Sequence, residues 1–127
     1  MSQTSLEDAI ALILPLEKKC RVNNDHNNLR EVSLHLVRLC RNVNDWDKLN
    51  AMLSLINKRS SQYKSTLTAV VAEASEYLEQ VPSVAVKVDL LKTLKEVTDG
   101  KIYLEGESAK IHFTLAKIYE DRGDLTE

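Results

Sequence analysis

Residues that interrupt helices or form turns are scarce in this sequence. Three glycines and two prolines occur in 127 residues, and nowhere do apolar and polar residues alternate over a sustained stretch between hairpin turns. Aromatic residues make up 5% of the chain, which leaves few platforms on which single-stranded bases could stack. No apolar run approaches the ~20 residues that span a bilayer. The sequence therefore argues against a β-sheet protein, a membrane-spanning protein and a binder of single-stranded nucleic acid.

An excess of charge of one sign is also lacking, because 17 basic residues nearly balance 19 acidic ones. The net charge of −2 sets up no strong field that would attract nucleic acid or anionic lipid. At the start of the chain, acidic residues precede a short apolar run and basic residues follow it, which is the wrong order for a secretory signal. We expect a soluble intracellular protein with no nucleic-acid partner and no membrane partner.

Apolar residues at helical spacing are what the sequence supplies, in stretches separated by polar breaks. Thr4 and Glu7 form a capping box at the first stretch, Asp45 is placed to cap the third, and Pro15 is expected to kink the first. The pattern predicts an all-α protein of six helices. The stripes of the first five are Leu6, Ile10, Ile13 and Cys20; Leu29, Val32, Leu36, Leu39 and Val43; Trp46, Leu49, Leu53 and Ile56; Tyr63, Leu67, Val70, Ala74 and Tyr77; and, on two sides of the fifth, Val84, Val88 and Leu91 with Val86, Leu90, Leu94 and Val97.

The stretch "VTDGKIYLEGESAK" joins the fifth and sixth helices. It lacks the first glycine, the hydroxyl residue after the lysine and the preceding strand of a phosphate-binding P-loop. Gly100 is instead placed to end the fifth helix in the left-handed conformation. The sixth helix has two opposed apolar sides, so we expect it to be sandwiched between other helices, with Gly106 allowing a neighbouring backbone to approach closely. One side has Ile102, Gly106, Ala109, Phe113 and Ala116, and the other has Leu104, Ile111, Leu115 and Ile118.

The best candidate for a metal or catalytic site combines both cysteines with two histidines. Cys20, His26, His35 and Cys40 follow the spacing C-x5-H-x8-H-x4-C, which fits no familiar zinc pattern. Cys-His catalysis could use the same residues with Asp25 as the acidic group. Because both cysteines belong to apolar stripes, we favour reduced thiols that fill core space.

Other polar residues near the end of the chain form no convergent set. Glu105 and Glu107 point about 200° apart on a helix, so they cannot share a substrate. We expect them to interact with the dipole at the start of the sixth helix. His112 is interpreted as a packing histidine. The sequence predicts no catalytic residues, no cofactor and no bound metal.

Two charged clusters are candidate partner contacts. For the basic cluster, the alternative to a binding site is a solvated helix end. The acidic cluster crowds the end of the fourth helix, where negative charge opposes the helix dipole. Either a lysine of the next helix, Lys87 or Lys92, neutralises these glutamates, or they await a basic surface on a neighbouring subunit. The clusters are Lys58, Arg59 and Lys64, and Glu73, Glu76 and Glu79.

The closing stretch "HFTLAKIYEDRGDLTE" follows the tetratricopeptide pattern of a helix and its turn. Asp45, in the turn of a fainter copy, lies 79 residues before the corresponding Asp124, close to two helix-pair repeats. The fainter copy comprises Leu36, Val37, Cys40, Asn44, Asp45, Trp46 and Leu49. The pattern predicts one helical-repeat domain over residues 1–127, a right-handed α-solenoid of antiparallel helix pairs. Gly123 marks a junction, and "DLTE" is typical of the cap of a further helix. We therefore expect an N-terminal fragment of a longer protein, with an apolar end face uncovered.

The segments "DWDKLNAMLSLINKRSSQYKSTLTAVV" and "LLKTLKEVTDGKIYLEGESAKIHFTLAKIYEDRGDLTE" carry a family resemblance. They are similar to the N-terminal region of the PCI-type non-ATPase regulatory subunits of the 26S proteasome lid, from about Asp45 onward. The most specific element is T-x-G-K-I-Y-x-E between two helices. The chain departs from the family pattern at Gly106 and Ser108. The likeness concentrates in Trp46, Asp47, Leu49, Asn50, Lys58, Arg59, Gln62, Lys64 and residues 97–105.

The resemblance implies a helical arm of a non-catalytic scaffold subunit that acts in ubiquitin-dependent protein degradation. It implies contacts with other lid, base or core-particle subunits, a location in the cytoplasm and nucleus, and a PCI module beyond Glu127. One alternative is a free-standing helical-repeat adaptor that binds a peptide motif, although the basic and asparagine residues that line such grooves do not repeat here. A small helical-bundle enzyme is a further alternative, and it lacks a convergent polar set.

Overall fold

The computed structural model of the chain describes residues 3–60 and 63–121, with side chains from residue 6 onward. Within these ranges every regular element is helical and no strand occurs, which confirms the predicted all-α class. No helix in them is both long and apolar enough to cross a membrane. The six helices are α1 (Gln3–Val22), α2 (His26–Asn42), α3 (Trp46–Ser60), α4 (Lys64–Tyr77), α5 (Val84–Thr98) and α6 (Glu105–Asp121), with a 3-10 turn at Ile102–Leu104.

Neighbouring and next-but-one helices pack against each other. α2 lies against α1 on one side and against α4 on another, whereas α3 packs on α5. The short turn 43–45 joins α2 to α3, and these two helices also pack against each other. α6 packs on α5, so α1 and α6 are the first and last helices among the described residues. This packing is that of an α-helical repeat, and the right-handed sense of the stacking stays a prediction.

The buried apolar residues follow the predicted stripes, most completely in α4. Its residues Tyr63, Leu67, Val70, Ala74 and Tyr77 are all buried. In α2 the stripe is broader than predicted, because this helix contacts α1 and α4 on different sides. Its core residues are Leu29, Leu34, Leu36, Val37 and Cys40, whereas Val32, Leu39 and Val43 are half-buried.

The turns that end α1 and α2 have the same construction, twenty residues apart. Asn24 and Asn44 adopt the left-handed conformation, with φ of 54° and 58°. The following aspartate amide donates to the carbonyl of Cys20 (2.9 Å) or Cys40 (3.1 Å), which closes a Schellman-type C-cap. Each aspartate then caps the next helix: Asp25 Oδ1 accepts from Asn28 N (3.3 Å) and Asp45 Oδ1 from Lys48 N (3.0 Å). The predicted cap at Asp45 is confirmed, and both turns share the sequence C-R-x-x-N-D-x-x-x-L.

The sixth helix packs on one side only. Leu104, Ile111 and Leu115 are buried, whereas Ile102 and Phe113 on the opposite side are 83% and 70% exposed. Gly106 is exposed, and a Cβ placed there would meet no atom within 4 Å. The prediction that a backbone approaches Gly106 closely is therefore wrong for the described residues, because no helix of this part of the chain covers that side. Gly100 does end the fifth helix as predicted, with φ of +72°.

Several predictions concern the edges of the helices. Thr4 lies within the range of α1, and the capping box predicted for it involves a side chain outside the described ones. Pro15 lies inside α1 as expected, and Glu105 with Glu107 occupies the first turn of α6, as predicted. Predictions that involve Gln62, Gly123 and Asp124 fall outside the described residues.

Candidate functional site

The acidic cluster of α4 does not act as one surface. Glu73 faces α2, where Arg38 donates from Nε to Oε2 (3.1 Å) and from Nη2 to Oε1 (3.3 Å). Tyr77 Oη also donates to Glu73 Oε2 (2.6 Å). These bonds, first that from Arg38, lower the pKa of the Glu73 carboxyl below its ordinary value. Glu76 and Glu79 are exposed and are available to solvent or to a partner.

The charge of Glu73 is neutralised by a residue of this chain, but that residue is not one of the two predicted lysines. The cation belongs to α2, 35 residues earlier, and not to Lys87 or Lys92 of α5. Burial of the ring raises the pKa of Tyr77, and the hydrogen bond that Tyr77 donates to Glu73 raises it further. The pair between Arg38 and Glu73 is a tie between two packed helices.

Arg41 makes a second tie between the same two helices. Its guanidinium lies 5.3 Å from the ring centre of Trp46 and 5.9 Å from that of Tyr77. Its Nε also donates to Gln80 Oε1 (2.8 Å) in the turn after α4. Neither arginine is among the residues predicted from the sequence. The available signal was the presence of two arginines, three residues apart, near the end of α2. Their role is visible only once it is known that α2 packs on α4.

The basic cluster is likewise divided among separate contacts. Arg59 Nη1 binds Oε1 of Glu17 in α1 (3.3 Å), and Arg21 binds the other oxygen of that buried carboxylate. Lys64 Nζ lies 5.6 Å from the ring centre of Tyr103. Only Lys58 of the three is exposed with no such contact among the described residues. The cluster is therefore mainly structural and presents no concentrated basic patch.

The lysine of the Gly-Lys pair is held inside the joint between α5 and α6. Lys101 Nζ donates to Asn57 Oδ1 of α3 (2.8 Å) and to the carbonyl of Val97 (2.6 Å). The second bond places a cation at the end of α5, where the helix dipole favours it. These two bonds hold the ammonium of the half-buried Lys101 against the protein, which is a structural use and not that of a phosphate-binding lysine.

The cysteines and histidines are not brought together. In the described part of the chain, no group of three or more histidine, cysteine or acidic residues could hold a metal ion. Cys40 is buried, as predicted for a core cysteine, and burial raises the pKa of its thiol to about 11. Cys20 is only half-buried and lies outside the core. His26 packs edge-on against Tyr63, with ring centres 5.2 Å apart, and His35 is exposed.

A groove of about 540 Å³ runs between α5 and α6. His112 lies on its rim, exposed and hydrogen-bonded to the carbonyl of Ser108 (2.7 Å), so its predicted packing role is wrong. The charged groups of the groove have both signs and form no hydrogen bond or ion pair with one another. The lining residues are Lys92, Lys95, Glu96, Asp99, His112, Leu115, Ala116 and Tyr119.

Both end helices present apolar residues to solvent. On α6 these residues include Phe113, on the side that the sequence predicts to be sandwiched. On α1, Leu12, Leu16 and Val22 are 76%, 53% and 70% exposed. The sequence analysis missed this side of α1, although the spacing of these residues in "ALILPLEKKCRV" carries the signal. Together with the internal ties, these surfaces define a helical-repeat protein whose outward chemistry is suited to contacts with other proteins.

Comparisons with known proteins identify the family. Residues 8–127 match the family described as PSMD12/CSN4, N-terminal, and the chain belongs to this family. It is 35% identical over 120 residues to the 26S proteasome non-ATPase regulatory subunit 12 of Dictyostelium discoideum, covering 94% of this chain and 27% of that protein. The homolog A of subunit 12 from Arabidopsis thaliana is 34% identical over 122 residues, 96% of this chain and 28% of the relative.

A fungal relative extends the match over the whole chain. The 26S proteasome regulatory subunit RPN5 of Saccharomyces cerevisiae is 30% identical over 129 aligned residues, which cover 100% of this chain and 29% of that protein. The chain therefore spans less than a third of the length of these relatives. Their names are those of regulatory subunits of the proteasome, in agreement with the predicted resemblance.

Proposed function

We propose that this chain is the helical arm of a non-catalytic scaffold subunit in the regulatory lid of the 26S proteasome. Its role is to hold other lid, base or core-particle subunits in place during ubiquitin-dependent protein degradation, in the cytoplasm and nucleus. The observation that carries the proposal is family membership over residues 8–127, together with relatives that are named as proteasome regulatory subunits.

The use of the charged side chains supports a scaffold role. Glu17, Glu73 and Lys101 are each bonded to a residue of another helix. A catalytic site requires titratable groups that converge on a space where a substrate can sit. Glu17, Glu73 and Lys101 are instead engaged in joining helices, and the charges in the groove between α5 and α6 are scattered. The exposed apolar residues of α1 and α6 are of the kind that protein–protein contacts bury.

Native mass spectrometry of the tagged protein, purified from its own cells, tests the proposal. We expect the protein to be recovered in an assembly whose mass and peptides are those of the proteasome lid or the complete 26S particle. The same tag on an unrelated helical protein serves as the control.

Two results would contradict the proposal. Recovery of the protein as a monomer with one bound peptide would support the adaptor alternative. Hydrolase activity of the purified protein, lost on substitution of a residue in the groove between α5 and α6, would support an enzyme.

A further inference from the structure

The outward face of α1 is a continuous apolar stripe with one charge toward each end. At 3.6 residues per turn, its members fall within a sector of about 140°. The buried residues Leu6, Ile10 and Glu17 lie on the opposite side of the helix. Every side chain of the outward face is exposed. The face comprises Asp8, Ala11, Leu12, Pro15, Leu16, Lys19 and Val22.

The apolar character of this face is unusual for a terminal helix. Helical-repeat stacks end in helices with a polar outer surface, because an apolar one would associate or aggregate. Here Leu12, Leu16 and Val22 are more than half exposed on the first described helix. A helix that is apolar on two opposed sides is covered on both. α2 covers the inner side of α1, whereas no described helix covers the outer side.

The shape and charge of the face specify what covers it. Between Asp8 and Lys19 the stripe is about 17 Å long and one helix wide, which matches a packed α-helix. Neither charged residue forms an ion pair with a described residue. Helices tend to carry acidic residues in the first turn and basic residues in the last. A helix with this charge distribution places its acidic first turn beside Lys19 and its basic last turn beside Asp8 only when it runs antiparallel to α1.

We propose that the outward face of α1 binds one helix of another proteasome subunit, antiparallel to α1, with an apolar stripe between an acidic N-terminal end and a basic C-terminal end. This inference rests on the proposed function, which places the chain among different subunits. It names the helix of the chain that makes the contact, the orientation of the partner and the chemistry of the partner surface.

A photo-crosslinking amino acid at position 12, introduced into the protein in its own cells, tests the contact directly. In purified proteasomes we expect the crosslink to map to one helix of a different subunit, with acidic residues on the side nearer its N-terminus. The same amino acid at position 7, about 100° or more from the centre of the face, is the control and should crosslink several-fold less to that helix.

A pair of charge exchanges tests the orientation. Asp8→Lys with Lys19→Asp reverses the polarity of the face, whereas Glu7→Lys with Lys18→Glu makes the same change, at the same spacing, on the flank of the helix. Net charge and the helix-dipole effect are equal in the two variants. We expect the first exchange to reduce the position-12 crosslink by about 5-fold or more, since two ion pairs become two repulsions, and the second to leave it unchanged.

The outcomes separate this inference from the proposed function. If the unmodified protein is absent from proteasomes, the proposed function is wrong. If the protein is present, the inference is overturned by a position-12 crosslink to a second copy, to its own chain or to no protein. It is also overturned by a parallel partner helix, or by equal effects of the two charge exchanges.

Discussion

Individual charged side chains in this protein tie one helix to another. Lys101 joins the α5–α6 joint to α3, Glu17 joins α1 to α3 through Arg59, and Glu73 joins α4 to α2 through Arg38. Each tie satisfies a polar group that packing has partly removed from water, so its loss leaves that group without its partner. The charged residues therefore contribute to the position of each helix and not only to solubility.

Replacement of Lys101 by methionine tests the first tie. We expect Lys101→Met to lower the free energy of unfolding by about 1–2 kcal/mol, because the Val97 carbonyl and Asn57 Oδ1 both lose a charged donor. Urea unfolding followed by circular dichroism measures the loss. Lys110→Met, at an exposed position of α6, is the matched control and should change stability by less than about 0.5 kcal/mol. Equal effects would show that the Lys101 bonds contribute nothing.

Charge reversal at two glutamates of α4 tests the tie between Arg38 and Glu73. Glu73→Lys places a cation beside Arg38, so we expect a loss of about 1 kcal/mol or more. Glu76→Lys, on the exposed side of the same helix end, removes an unfavourable interaction with the dipole and should be neutral or stabilising by a few tenths of a kcal/mol. Thermal unfolding of both variants decides the point. A Glu73→Lys variant as stable as the parent would contradict the pairing.

The lowered pKa of Glu73 also predicts a pH dependence. A carboxyl whose pKa is lower in the folded than in the unfolded chain stabilises the fold above the unfolded pKa, about 4.3. That contribution is lost as the pH falls through the folded pKa. We expect acidification from pH 5 to pH 3 to destabilise the parent more than Glu73→Gln, measured by urea unfolding at each pH. Identical pH profiles would show that Glu73 contributes no such linkage.

At the scale of the element, we expect the same substitution at two glycines, Gly100 after α5 and Gly106 in α6, to change stability in opposite directions. Gly100 has φ of +72°, a conformation that side chains disfavour, so Gly100→Ala should lower stability by about 1 kcal/mol. Gly106 lies in the first turn of α6 with open space at its Cβ, so Gly106→Ala should raise stability by about 0.5–1 kcal/mol. Thermal melts of the isolated chain compare the same chemical change at the two sites. A destabilised Gly106→Ala variant would indicate a neighbour that the described residues do not include.

Most helices could be predicted from the sequence, since their apolar residues recur every three to four positions and their caps are local. Asp45, for example, can be assigned as a cap from its neighbours alone. The ties could not be predicted, because Arg38 and Glu73 are 35 residues apart and become partners only when α2 packs on α4. The error at Gly106 has a related cause. The pattern shows that α6 has two apolar sides, but it does not say whether this chain supplies the second neighbour.

At the scale of the whole molecule, the reactivity of the two cysteine thiols measures how tightly the helices are packed. Cys40 is buried in the core and its pKa is raised to about 11, so at pH 8 only on the order of one thiol in a thousand is ionised. Cys20 is half-buried near the end of α1. We expect a thiol reagent at pH 8 to label the Cys40→Ser variant at least about ten-fold faster than the Cys20→Ser variant. Comparable rates in the native state, equal to those in urea, would show that α2 is not stably packed.

The hydrogen bonds between different helices described above join residues 35 to 44 positions apart. After a residue has been synthesised, at most about 44 further residues must be added before its hydrogen-bond partner is present. At ordinary rates of synthesis this takes about 2–9 s. Each helix can therefore form its bonds to earlier helices while later residues are still being synthesised. The outward face of α1 would then be folded, and open to an assembly partner, before the helices after α3 are complete.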